Sequence, residues 1–135
     1  MRLLWCICTL ALAISSLWAT EADPEPAGKP RELKVTKVPM GERAMKTSKI
    51  TSLADFSKEF GKDAADEIAK EVNFASEYVV VFTWSGSGGD QMEMAVEGKK
   101  ATFTRKFGRT RDLRSHFKAF VLPKDFTYEM GKGGR

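Results

Sequence analysis

The sequence predicts an α+β domain in which an antiparallel β-sheet of four to six strands carries two short helices packed on one face. Three observations predict this fold class. Apolar residues recur at helical spacing between residues 52 and 72, Tyr78–Trp84 is β-branched and aromatic throughout, and several later segments alternate between apolar and polar residues. Because the helical signals precede a run of strands, the helices are expected to form a layer of their own against the sheet.

The amino-terminal residues have the three parts of a secretory signal peptide. Arg2 supplies the positive start, an apolar stretch covers residues 3–18, and small residues stand at Ala19 and Ala22. The apolar stretch is shorter than the roughly 20 residues that cross a membrane comfortably. We therefore expect residues 1–19 to be a cleavable signal peptide, with cleavage between Ala19 and Ala22. The protein would then be secreted or periplasmic, with no stable membrane insertion after cleavage; an uncleaved anchor is the alternative.

Both cysteines, Cys6 and Cys8, lie within the predicted signal peptide. The domain that remains would contain no thiol and no disulfide, so a hydrophobic core alone must hold it together. This is feasible for a domain of about 100 residues. The lack of cysteine also excludes thiol catalysis and thiolate metal sites in that domain.

Composition divides the rest of the chain into three parts. Residues 20–31 are Pro-rich, acidic and without apolar periodicity, which predicts a flexible leader. Residues 32–130 contain all the periodic segments and are expected to form a single globular domain. The basic, glycine-rich residues 131–135 predict a disordered tail.

The domain is expected to begin with weak extended structure. Residues 32–38 alternate modestly and predict a short strand suited to a sheet edge. Residues 40–50 show no clear period, and only Met45 and Ile50 are expected to be buried there.

Two helices should follow. Ser52 is placed to cap the first with Asp55 three residues on, and Gly61 supplies a stop. The second begins at Lys62 or Asp63. The apolar positions are Leu53, Phe56 and Phe60 in the first helix and Ala65, Ile68, Ala69 and Val72 in the second.

The remaining elements are predicted to be strands. Tyr78–Trp84 has the composition of a strand covered on both faces and is expected at the centre of the sheet. Two alternating runs flank the turn Glu97–Lys99 and predict a β-hairpin. Phe117–Leu122 reads as a further strand, and Phe126–Met130 as one more.

The glycine-rich loop Ser85–Asp90 is the first candidate site. Its glycines allow backbone amides to converge on an anion, and its serines add hydroxyl donors. It does not match a phosphate loop, because no Lys-Ser or Lys-Thr pair follows, or a nucleophile elbow, because glycines flank Ser87 directly. The alternative is a bulge or tight connection between strands. The candidate binding residues are Ser85, Ser87, Gly88, Gly89 and Asp90.

An arginine-rich connection before the Phe117 strand is the second candidate site. Guanidinium groups are bidentate donors suited to carboxylate, sulfate or phosphate. The alternative is that Asp112 pairs with one or two of the arginines and pins a long connection to the sheet. The candidate residues are Arg109, Arg111, Asp112, Arg114 and His116.

His116 is the single histidine of the chain. With Ser85 or Ser87 and Asp90 or Asp112 it could formally complete a hydrolase triad, the alternative being a structural, hydrogen-bonded histidine. One histidine without cysteine does not supply the three or four ligands that zinc requires, and Asp90 offers too few oxygens for calcium. We expect no metal site and no cofactor.

The order of several short motifs is similar to that of a known family. Val72-Asn73-Phe74 precedes a hydrophobic strand, Ser87-Gly88-Gly89 and a hairpin follow, and the last strand ends in Leu122-Pro123-Lys124. Over about residues 50–125 the chain resembles the domain at the C-terminus of PrcB-type protease-complex-stabilising proteins. The resemblance implies a non-enzymatic, extracytoplasmic domain that binds another protein, with Ser87, Gly88 and Gly89 as the residues carried over.

The leading functional prediction is an exported, non-enzymatic binding module that recognises a protein or peptide partner. The binding face would be formed by the Ser85–Asp90 loop and the Arg109–His116 connection. Two alternatives stay open: a small hydrolase that uses His116 with a loop serine, and a domain that binds an anionic ligand such as an acidic glycan. The chain has 22 Lys and Arg against 18 Asp and Glu, interspersed, which does not predict nucleic-acid binding.

Overall fold

The computed structural model of the protein describes residues 28–38 and 44–134. The predicted signal peptide and most of the predicted leader lie outside these residues. The described part contains two helices and seven strands, which confirms the α+β class. In chain order these are β1 (Arg31–Leu33), β2 (Lys46–Ile50), α1 (Leu53–Phe60), α2 (Lys62–Ile68), β3 (Glu77–Ser87), β4 (Gln91–Glu97), β5 (Lys100–Lys106), β6 (Leu113–Pro123) and β7 (Thr127–Met130). None of the helices described is long and apolar enough to cross a membrane.

The described strands form two sheets, whereas the sequence analysis expected one antiparallel sheet of four to six strands. The first sheet has the order β1-β6-β3-β2 and is antiparallel. The second has the order β4-β5-β7, with β7 parallel to β5. The parallel pair arises because β6 lies between β5 and β7 in the chain but pairs in the first sheet. The β4–β5 hairpin buries Met92 and Phe103 against the first sheet, so both faces of β3 are covered.

Strand β3 is the centre of the molecule, as predicted. Every residue of Tyr78–Trp84 is buried. Val79 and Val81 face the two helices, while Phe82 faces the second sheet, where its ring centroid lies 4.8 Å from that of Phe103. The structure therefore has three layers, with helices, first sheet and second sheet in that order.

The helix signals read from the sequence are confirmed at both ends of α1. Ser52 is the N-cap, and its Oγ accepts a hydrogen bond from the Asp55 N–H at 3.1 Å. Gly61 follows the helix with a φ of 93°, a value that favours glycine. The helices bury Phe56 and Ile68 against the first sheet.

Three positions predicted to be buried are exposed, while Ile50 is buried as predicted. Leu53, the first residue of α1, is 37% exposed. Met45, also 37% exposed, precedes an edge strand, and Ala69 lies one residue beyond the end of α2.

The strand predicted over residues 32–38 is shorter in the structure and lies at a sheet edge. It ends at Leu33 because the next part of the chain turns towards α2. There the Glu67 carboxylate accepts hydrogen bonds from the Thr36 N–H at 3.0 Å and from the Lys37 N–H at 3.3 Å. These bonds draw residues 34–38 away from β6.

The tail predicted to be disordered is partly paired within the described residues. The Gly131 N–H donates to the Phe103 carbonyl at 2.8 Å, and the Phe107 N–H donates to the Gly134 carbonyl at 3.3 Å. Residues 131–134 therefore continue beside β5 in the second sheet. Composition alone does not reveal that β5 offers these backbone partners.

Candidate functional site

The two predicted site segments are neighbours in the first sheet. Strand β3 continues through the predicted loop as far as Ser87, and β6 begins at Leu113, inside the arginine-rich connection. Ser85 lies opposite Ser115 and Gly86 opposite Arg114. We call the surface formed by residues 85–90 and 109–116 the arginine face.

Thr110 joins the two segments, although nothing in the sequence singled it out. Its Oγ1 lies 2.6 Å from the Ser87 Oγ and accepts the Gly89 N–H at 3.2 Å. Its own N–H donates to the Ser87 Oγ at 3.0 Å. Thr110, which lies between Arg109 and Arg111, therefore fixes the middle of the connection to the end of β3.

Asp112 occupies the anion-binding position that the glycine-rich loop offers. The Gly88 N–H donates to one carboxylate oxygen of Asp112 at 3.1 Å, and the Arg114 Nε donates to the other at 2.5 Å. Hydrogen bonds from the Thr110 side chain and the Gly88 amide, together with Arg114, lower the pKa of Asp112 to about 2. The predicted alternative, that Asp112 pairs with an arginine and pins the connection, is confirmed for Arg114.

The Asp90 carboxylate is buried and accepts hydrogen bonds from three neighbouring residues. It accepts hydrogen bonds from the Arg105 Nη2 at 2.6 Å, the Gly108 N–H at 2.7 Å and the Trp84 Nε1 at 3.2 Å. Burial opposes ionisation, but bonds from Arg105, Gly108 and Trp84 outweigh it, so the pKa of Asp90 lies below its ordinary value. The Arg105 guanidinium also lies 4.7 Å from the centroid of the Phe107 ring. Asp90, predicted as a binding residue, is thus used internally.

His116 packs as a structural residue. Its ring stacks on Trp84 with centroids 4.8 Å apart, and its Nε2 lies 2.8 Å from the Ser87 backbone carbonyl. A carbonyl only accepts hydrogen bonds, so this nitrogen carries the proton. The Ser87 Oγ bonds instead to Thr110, and the Ser85 side chain alternates with Trp84 to the opposite face of the sheet. This geometry does not support the hydrolase alternative.

Arg109 and Arg111 differ from the other charged residues of the arginine face. Both are exposed, and within the described part of the chain neither side chain forms a hydrogen bond, an ion pair or a ring contact. Leu113, two residues further on, is 78% exposed. The site therefore presents two unpaired cations and an apolar side chain from a backbone that Thr110 holds in place.

Gly108 allows the two segments to approach each other. A Cβ at this position would lie 2.4 Å from the Gly89 carbonyl carbon and 2.7 Å from the Asp90 nitrogen, and neither backbone atom can move aside cheaply. We expect Gly108→Ala to lower the free energy of unfolding by about 1 to 3 kcal/mol, measured by urea denaturation. Gly134→Ala is the control, because a Cβ there meets nothing within 4 Å. Equal stability of the two variants would contradict this close packing.

A cavity of about 400 Å³ lies at the other end of β3 and includes no residue of the arginine face. Two of its charged groups pair with each other, since Arg31 donates to the Glu77 carboxylate at 2.7 and 3.1 Å. Among residues 28–38 and 44–134, no group of three or more His, Cys, Asp or Glu side chains is placed to hold a metal ion. The arginine face remains the candidate site.

Comparison with known proteins gives no further guide to the site. The chain matches no protein family, no curated protein and no solved structure. The resemblance to the PrcB-type domain therefore stays a prediction.

Proposed function

We propose that this protein is an exported, non-enzymatic binding module that recognises a protein or peptide partner through the arginine face. The proposal rests on one observation: the backbone around Thr110 is held by hydrogen bonds, whereas the two arginine side chains beside it are unpaired in the described part of the chain. Thr110 is bonded to Ser87 and Gly89, while its neighbours Arg109 and Arg111 have no partner in the described part of the chain. Cations presented from an ordered backbone lose less conformational freedom on binding than cations on a flexible loop.

The chemistry of the face favours a protein surface over a small anion. The Gly88 amide, which could cradle an anion, is already bonded to Asp112. The unpaired guanidinium groups lie on the connection between β5 and β6, with Leu113 exposed beside them. Arginine next to apolar side chains is a combination that protein–protein interfaces favour. Export is supported by the signal-peptide features of residues 1–19.

The test removes the two free cations. We expect Arg109→Ala/Arg111→Ala to abolish or strongly reduce recovery of the partner when the tagged protein is used for affinity capture from its extracytoplasmic compartment. Raised ionic strength should weaken capture by the wild type, because exposed charges are screened by salt. The partner would be identified by mass spectrometry as a protein lost specifically from the arginine variant.

The matched control is Lys62→Ala/Lys124→Ala. It removes the same charge from two exposed side chains outside the arginine face. Unchanged recovery of the partner by a folded arginine variant would contradict the proposal. Retention of the protein by an acidic polysaccharide, without capture of any protein, would favour the anionic-ligand alternative.

A further inference from the structure

The paired strands β3 and β6 extend beyond their neighbours in the first sheet. Strand β2 pairs with β3 only as far as Thr83, and β1 pairs with β6 only as far as Ala119. The pairing of β3 with β6 nevertheless continues to Ser87 and Leu113. The two strands therefore form a ribbon that projects past the rest of the sheet and ends at the arginine face.

The outer side of this ribbon is an open strand edge. Residues 113–117 of β6 pair with β3 on one side, and on the other side no described residue makes a backbone hydrogen bond to them. Alternate backbone N–H and C=O groups of a strand point to each side, so this edge presents unpaired donors and acceptors. Leu113, Arg114 and Ser115 are exposed along it.

Within the described residues, the segment after β1 turns away from this edge. After Leu33 the continuation of β1 would lie beside Phe117, but the Glu67 carboxylate binds the Thr36 and Lys37 amides and holds that segment against α2. No described residue therefore pairs with β6 at the position that a longer β1 would take beside residues 113–117.

We propose that an extended, acidic segment of a protein partner adds to β6 as a further strand, pairing with residues 113–117 beside Arg109 and Arg111. The inference rests on the proposed function and specifies the kind of segment that the arginine face takes. The added strand is antiparallel to β6, as β1 and β3 both are. Its carboxyl-terminal end then passes Leu113 and reaches the connection that carries the two arginines, so its acidic residues follow the paired part. Main-chain bonds supply affinity, and the ion pairs supply selectivity.

A second copy of this chain fits the edge less well. Antiparallel pairing of two β6 edges over residues 113–117 would add no acidic side chain beside Arg109 and Arg111 of either copy, because that strand contains no Asp or Glu. An acidic segment supplies the opposite charge instead.

The test uses a synthetic peptide as the probe. It carries fluorescein, then alternating threonine and valine over five residues, then Asp-Glu-Asp at the carboxyl end. Binding is measured by fluorescence anisotropy, and amide hydrogen exchange of the protein is followed by NMR. We expect salt-sensitive binding, with new protection confined to the outward-facing amides of residues 113–117.

Two peptide controls separate strand addition from simple charge attraction. The same peptide with N-methyl groups on alternate residues keeps every side chain but loses half of its donors, and we expect it to bind at least about tenfold more weakly. A peptide with the acidic residues moved to the amino end should also bind more weakly. On the protein, Arg109→Ala/Arg111→Ala should weaken binding roughly tenfold, whereas Lys62→Ala/Lys124→Ala should not.

Several outcomes would overturn the inference. These are equal binding of the methylated and unmethylated peptides, no binding at millimolar peptide, and protection that appears elsewhere. Protection of residues 113–117 without peptide would also overturn it, and dependence on protein concentration would then identify a second copy as the occupant. If capture of the natural partner needs Arg109 and Arg111 but methylation has no effect, the inference fails while the proposed function stands. Capture that ignores both arginines removes the proposed function itself.

Discussion

Replacing Asp90 with alanine is expected to lower the free energy of unfolding by about 3 to 5 kcal/mol, the cost of removing one partner of a buried ion pair. The reason is what the missing carboxylate leaves behind. The Arg105 guanidinium, largely buried, loses its ion-pair partner at 2.6 Å, and the Trp84 Nε1 and the Gly108 N–H lose their acceptor. Urea denaturation of the wild type and of Asp90→Ala measures the difference.

A double-mutant cycle separates the charge pair from the rest of the site. Arg105→Met removes the cation but keeps an apolar stem of similar reach, so Asp90→Ala/Arg105→Met should be more stable than the sum of the two single losses predicts. Strict additivity would show that the ion pair contributes nothing and that the carboxylate acts through its other donors alone.

The contribution of Asp90 should also depend on pH. Its pKa is lowered in the folded protein, so its stabilising effect is present above the ordinary aspartate pKa of about 4 and is lost as the pH falls through the lowered value. The stability difference between the wild type and Asp90→Ala should therefore be constant near neutral pH and shrink below about pH 4. A difference that grows on acidification would contradict an ionised Asp90.

Phe103→Ala should also cost about 3 to 5 kcal/mol, because it removes the residue on which the two sheets meet. The Phe103 ring is fully buried, with its centroid 4.8 Å from those of both Phe82 and Phe120. Alanine would leave a cavity between the sheets that rigid strands on both sides cannot close. The change is measured by urea or thermal denaturation.

Two further variants serve as controls for the expected loss of stability. Phe103→Leu fills most of the space and should cost clearly less than the alanine variant. Phe107 directly follows β5 and is 46% exposed, so Phe107→Ala should change the free energy of unfolding far less. If Phe103→Ala were as mild as Phe107→Ala, the second sheet would not be packed on the first.

The elements that the sequence predicts well are those with a strong local signal. The run Tyr78–Trp84 is apolar at every position except Thr83, so it fits only a strand covered on both faces. Ser52 and Gly61 mark the ends of α1 because capping and positive φ are properties of single residues. Gly98, with a φ of 58°, marks the hairpin turn for the same reason.

The division into two sheets was beyond sequence reasoning because alternation shows which residues share a face, not which sheet a strand joins. The β4–β5 hairpin has the pattern of a strand pair that could continue the sheet beside β3. It packs across the face of β3 instead, since Phe82 and Phe120 need a cover on the side away from the helices. The parallel pairing of β7 follows from this arrangement and has no local signal.

The candidate site was predictable in part. Unusual composition marked the glycine-rich loop and the arginines, and the structure brings them together. The roles of Thr110 and Arg105 depend on the register of β3 against β6 and on the position of the hairpin, so neighbouring residues give no indication of them. The sequence places Asp90 among the binding residues because it does not show the partners that bury the Asp90 side chain.

The pairing of β1 with β6 also determines when the first sheet can be completed during folding. Arg31 lies opposite Val121 and Leu33 opposite Ala119, so the first strand finds its partner only after nearly the whole chain has been synthesised. The two helices, whose mutual contacts are local, can associate much earlier. Until β6 emerges from the ribosome, the amino-terminal strand has no partner strand to join, and closure of the first sheet at that edge is a late event in folding.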